Sequence, residues 1–185
     1  MSSKDGRWIA AGTYWGDVHV WDANTYRQVM LKNTDSSSIH GVDFSPDSTR
    51  LVSASKNSTA IVWDIAMRRN IQTLHHENSV IAAKYSLQGD RIATATEDSV
   101  RVCDSSNSHL LVDIKVPVAP LFNSGLLWFN NYLCVVSDGK IKQFEASTGS
   151  VISEWPVPDT RHSPYQNMGD SSHTLLNAPS HFWTL

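Results

Sequence analysis

The tripeptide Val20-Trp21-Asp22 returns as Val62-Trp63-Asp64, then as Val102-Cys103-Asp104 and Gln143-Phe144-Glu145, so one position recurs at steps of 42, 40 and 41 residues. Four copies in phase mark a chain built from one supersecondary unit. Such a unit cannot bury its apolar face alone and stacks on its neighbours to make a core.

Each copy repeats the same internal order. An alternating strand ends at the aromatic-acid pair: "DVHVWD", "TAIVWD", "SVRVCD", "KIKQFE". Before it, across a short polar turn, stands an apolar strand rich in small residues: "WIAAGT", "RLVSAS", "RIATAT", "YLCVVS". The middle copies carry an earlier strand running into a turn, "IHGVDFSPD" and "VIAAKYSLQGD", and every copy ends in another short apolar strand, "RQVML", "NIQTL", "LLVDI" and "SVISEW". Short strands joined by Ser, Asp, Asn and Gly turns predict antiparallel meanders, and no window holds a capped helical period. Four strands per unit at this period are the pattern of a propeller blade.

On these motifs the chain resembles the WD-repeat β-propeller family. "FSPDSTRLVSASKNSTAIVWD" (Phe44 to Asp64) and "YSLQGDRIATATEDSVRVCD" (Tyr85 to Asp104) follow the family pattern through three strands. Stretches such as "DGRWIAAGT" and "VSDGKIKQFEASTG" resemble repeats in large fungal WD-repeat proteins. The resemblance implies an all-β fold, a partial or open β-propeller of about four antiparallel four-stranded blades. Repeats are expected over about 5–31, 38–75, 80–116 and 121–158, with the first copy starting at its second strand. The 159–185 tail is then the start of a further blade, or a strand that closes the ring.

In a blade, the aromatic at the end of the third strand packs between sheets, so Trp21, Trp63 and Phe144 are assigned to the core, with Cys103 a smaller plug. Asp22, Asp64 and Asp104 follow as blade positions. The family often adds a polar network of His, Ser or Thr, Asp and the Trp indole, useful only where every buried member finds a partner. The network is incomplete in each copy here. The second copy has Ser53 or Ser55 and Trp63 but Asn57 in place of Asp; the third has His76 and Thr94 or Thr96, with Glu97 and Asp98 in the turn; the fourth keeps Asp138.

Chain length adds a constraint. Seven blades need about 290 residues at this period, and 185 supply about four. A bare end face of several hundred Å² forgoes on the order of 10 kcal/mol at about 25 cal/mol per Å², which rivals the stability of a typical domain. The expectation is a fragment of a larger propeller, or ends covered by another chain, including self-association through open blade faces.

Chemistry is sparse. The phosphate-loop, dinucleotide, nucleophile-elbow and zincin motifs are all missing, so neither a cofactor nor an enzymatic activity is expected. His75-His76-Glu77 could hold a metal only if neighbours on a loop converged, and the family pattern assigns His76 to structure. Cys103 and Cys134 lack metal or disulfide spacing and read as reduced thiols. A net charge of −3 gives no reason to expect nucleic acid or an anionic membrane, and without a signal or spanning segment the expected place is the cytoplasm.

One feature points to binding. "GTYWGD" sets Tyr14 and Trp15 in the turn between the second and third strands, where the other copies are polar. Such turns line one rim of a propeller, and exposed Trp and Tyr anchor interfaces; the alternative is that both rings pack over a missing neighbour's face. Lys56, Asn57, Glu97, Asp98, Asp138 and Lys140 occupy the equivalent turns and form a polar rim. The leading expectation is therefore a non-catalytic scaffold binding a protein partner. The second is a truncated sensor or regulatory piece of a fungal signal-transducing NTPase.

Overall fold

A computed structural model of the chain describes residues 1–31, 36–119 and 125–157. It holds fifteen strands and, among the described residues, no helix. The first sheet contains β1 (Trp8–Gly12), β2 (Val18–Asp22) and β3 (Gln28–Leu31). The second contains β4 (Ile39–Phe44), β5 (Arg50–Ser55), β6 (Thr59–Asp64) and β7 (Arg69–His75). The third contains β8 (Ala82–Tyr85), β9 (Arg91–Ala95), β10 (Ser99–Asp104) and β11 (Leu110–Lys115), and the fourth β12 (Leu126–Phe129), β13 (Tyr132–Ser137), β14 (Lys140–Glu145) and β15 (Val151–Pro156). Every pairing is antiparallel between sequence neighbours, the meander that the alternating patterns predict.

The first copy forms three strands, as its expected start at the second strand implies, and Met1–Ser3 stand where the innermost strand of the other sheets runs: Ser2 bridges Ile9, and the Ser3 N–H donates to the Trp8 carbonyl at 2.9 Å. Ser3 also forms the turn that Ser45 and Ser86 form in the next two copies. Each hydroxyl donates to a nearby Asp, Asp5, Asp47 or Asp90, and accepts the N–H of the residue that opens the next strand.

Two regularities recur without a matching letter. Five residues beyond each plug, Tyr26, Arg68, Ser108 and Gly149 all have left-handed backbone, φ 58°, 55°, 65° and 74°. In three of these turns their N–H donates to the carbonyl of the acid beside the plug. Beside the plug itself, the ladder between third and fourth strands shifts register at Val62/Trp63, Val102/Cys103 and Gln143/Phe144, placing one extra residue on the outer strand and increasing local twist.

The sheets form an open arc with one apolar core between each consecutive pair. Val18, Val20 and Leu31 of the first sheet meet Leu51, Ile61 and Trp63 of the second. Val52, Ala54 and Val62 meet Tyr85, Ile92 and Cys103. Val100, Val102 and Ile114 meet Leu126, Leu133 and Phe144. In each case the third-strand plug belongs to the later sheet and points back at the earlier one. Trp21 departs from its expected core position: among the described residues no sheet packs against its face, and it is only half-buried and lies stacked on His19 at 5.7 Å. The expected 159–185 tail lies outside the described residues.

Candidate functional site

The loops leaving each outer strand are tied to the turns between second and third strands. Val116 and Val118 N–H donate to the Asp98 and Glu97 carbonyls, His76 N–H to Ser58, Val157 N–H to Gly139, and Ile39 N–H to Thr13. These contacts gather the turns and the inter-sheet loops at one end of the arc, which forms a rim.

The turn of the first sheet is closed by its own backbone. Thr13 N–H donates to the Asp17 carbonyl at 2.9 Å, the Thr13 hydroxyl accepts the Asp17 N–H at 3.0 Å, and Gly16 takes φ 91°, a conformation only glycine adopts readily. Tyr14 and Trp15 are thus held at the tip, 71% and 72% exposed, with ring centroids 5.4 Å apart and planes at 89°. An edge-to-face pair of this kind is itself favourable.

Lys56, Asn57, Glu97, Asp98 and Asp138 fall on the corresponding turns, whereas Lys140 opens β14 just after its turn. Lys56 and Glu97 are exposed. The Asn57 carboxamide oxygen accepts the Thr59 N–H and hydroxyl at 3.1 and 2.6 Å. Asp98 accepts the Thr96 hydroxyl at 2.6 Å and the Asn78 amide at 3.1 Å, and the Thr96 bond leads the causes that hold its carboxyl below the usual range. Asp138 pairs with Lys142 at 3.4 Å, while Lys140 pairs with Glu154 of the outer strand at 3.0 Å. The turn holding Asp138 and Gly139 has left-handed backbone at both residues, the geometry that an Asp-Gly hairpin favours.

The expected polar network exists only in part. Trp63 donates its indole N–H to Ser53 at 2.8 Å, and both side chains are buried. Ser55 instead accepts the Asn57 N–H. In the third sheet no indole is available, and Thr94 donates to the Arg101 carbonyl while Thr96 serves Asp98. His76 does not join them. Its ring is half-buried with Nδ1 unpartnered, and burial, then Arg101, pushes its pKa down to about 4, so it stays neutral. Its neighbour His75 is exposed, and no three His, Cys, Asp or Glu side chains gather among the described residues.

The acids beside the plugs act on the turns that follow. Asp22 accepts the Asn24 and Thr25 N–H groups, Asp64 that of Met67, and Asp104 that of Ser106, all at 2.8 to 3.0 Å. Cys103 and Phe144 are buried plugs, and burial pushes the Cys103 thiol pKa up.

Sequence reasoning missed a buried ion pair between the second and third sheets. Asp43 on β4 accepts the Tyr85 N–H at 2.9 Å and faces Lys84 Nζ at 3.5 Å. Burial raises its pKa, and Lys84 with the Tyr85 N–H offsets part of that rise. "VDF" and "AKY" hold these residues at matching positions of two copies, a signal visible only once the strands are set side by side.

Comparison with known proteins agrees with this geometry. Residues 27–64 match the family "WD domain, G-beta repeat". The rice small ribosomal subunit protein RACK1y is 25% identical over 149 residues, covering 80% of this chain and 44% of that protein. The Xenopus laevis U3 small nucleolar RNA-associated protein 15 homolog is 30% identical over 128 residues, covering 65% of this chain and 25% of that protein. Among solved structures, the β-propeller domain of Myceliophteria thermophila Cps50 (Swd1) is 19% identical with a TM-score of 0.74, covering 85% of this chain and 54% of that one. The chain spans less than half the length of these curated relatives. It carries a WD repeat, and its described residues form an open β-propeller of four sheets. The expected absence of nucleic acid among its partners gains no support, because the names of both relatives place them with the ribosome or with RNA.

Proposed function

We propose that this WD-repeat propeller segment is a non-catalytic protein-interaction module that engages a protein partner through its loop rim, with Tyr14 and Trp15 as the anchor. The observation that carries this reading is the pair itself: two large rings, both more than two-thirds exposed, on a turn whose backbone bonds and glycine leave them little freedom. Rigid, exposed aromatics lose little entropy on binding and are enriched at interface hot spots, while the surrounding charges form a rim that excludes water. Lys56, Asn57, Glu97, Asp98, Asp138 and Lys140 take that second role, contributing to orientation and encounter more than to affinity.

The test uses a photo-crosslinking amino acid at Trp15, with Tyr26 as the control, a still more exposed ring on a turn between third and fourth strands. Capture of a discrete protein from Trp15 but not Tyr26, at least tenfold weaker in Tyr14→Ala, is the expected result. The same captured set from both positions, or capture indifferent to Tyr14→Ala, removes the rim assignment.

A further inference from the structure

One end of the first two sheets carries positive charge that the fold itself does not use. The hairpins that follow Asp22 and Asp64 lie at the opposite end of β2 and β6 from the rim, and in these consecutive copies Arg27 and Arg69 take the same place, five residues beyond the acid. Arg68 stands next to them at the position of Tyr26, and both hold left-handed backbone, φ 55° and 58°, a conformation that costs a bulky residue more than the glycine found there in the fourth copy. Arg27, Arg68 and Arg69 are all exposed, and their side chains make no ion pair or hydrogen bond among the described residues. The two nearby carboxylates are held locally. Asp22 pairs with Arg7 at 3.4 Å and accepts the Asn24 and Thr25 N–H groups, while Asp64 accepts the Met67 N–H and is flanked in register by Arg50 and Arg69. Beside the free guanidinium groups, Tyr26 and Met67 are 85% and 67% exposed.

We propose that these two hairpins form a second docking surface, and that its occupant is an acidic segment of a partner protein. Charge complementarity names the chemistry: an unpaired guanidinium fork matches a carboxylate through two parallel hydrogen bonds. Tyr, Met and Arg side by side are also the residue types that protein interfaces enrich. A nucleic-acid backbone is the weaker match, because three cations would release counterions from only about three phosphates, too few to hold such a backbone at physiological salt. A partner seated here reaches Tyr26 and not Trp15, so this reading and the rim reading stand or fall separately.

The test titrates the full chain into a fluorescein-labelled random copolymer of glutamate and tyrosine, with poly(U) RNA as the second probe, and reads fluorescence anisotropy at physiological salt. Saturable binding to the copolymer is expected. Both Arg27→Ala and the double variant Arg68→Ala, Arg69→Ala are expected to bind about tenfold more weakly, the scale of one lost charge-assisted hydrogen bond. All three side chains are exposed, so these variants keep the fold, which thermal unfolding checks. Lys115→Ala removes the same charge from the outer strand of the third sheet, where Lys115 pairs with Asp113, and is expected to leave the affinity unchanged. The double variant Arg68→Lys, Arg69→Lys keeps the charge without the fork and is expected to stay about threefold weaker than the wild type. No saturable binding to the copolymer, tighter binding of poly(U) than of the copolymer, an equal loss in Lys115→Ala, or full affinity in the lysine variant would each overturn the proposal.

Discussion

Trp63 does two jobs that the plug position can combine: its ring fills the core between the first two sheets, and its indole N–H satisfies Ser53 on the neighbouring strand. Replacing it with Phe removes the donor and part of the ring but keeps an aromatic in the slot. Because Ser53 is fully buried, it loses a partner that water cannot replace, and the variant is expected to lose about 2 kcal/mol in urea unfolding. Adding Ser53→Ala removes the stranded hydroxyl and should recover about 1 kcal/mol; the absence of coupling would mean that ring volume alone matters. That Trp63 pairs with a serine of the neighbouring strand was legible in the sequence because it depends on residue type, but the choice of Ser53 over Ser55 was not. The fate of His76 was not, since a histidine in the right place says nothing about whether a neighbour turns toward it. With Thr94 and Thr96 committed elsewhere, its ring is left half-buried and neutral.

Among elements, the strands were legible because their alternation follows from having one face toward each neighbouring sheet. The left-handed turn residues were not. Tyr26, Arg68, Ser108 and Gly149 share a conformation but no chemistry, and only the last carries the usual mark of a positive φ. The link between β4 and β8 was equally silent, and it supports a prediction about pH. Asp43 is buried and its carboxyl is pushed above the usual range, with Lys84 opposing that rise. A raised folded-state value means the folded protein holds the proton more tightly than the unfolded one, so stability falls as pH rises through that window. Lys84→Met removes the opposing charge and leaves the carboxylate unpaired, a loss of about 3 kcal/mol at neutral pH for a buried pair. The deficit should shrink as the pH is lowered and Asp43 becomes neutral, and Asp43→Asn in the same background should abolish that pH dependence. Unfolding curves from pH 4 to 7 measure it, and a deficit constant across that range would show that Lys84 acts through packing alone.

At the scale of the molecule, four sheets in a row behave as a nearest-neighbour array, in which a sheet's stability depends on how many of its faces are covered. The second and third sheets each lie between two cores, whereas the first and fourth have one apiece. Local opening should therefore be graded. Amide hydrogen exchange is expected to be slowest in β5, β6, β9 and β10, and at least tenfold faster in β2 and β14, although all are central strands paired on both sides. Ladder hydrogen bonds alone would give all six strands similar protection, so the grading isolates the contribution of the neighbouring sheet. Exchange uniform across the four sheets would mean that the arc opens as one unit and that stacking on neighbours does not set its stability.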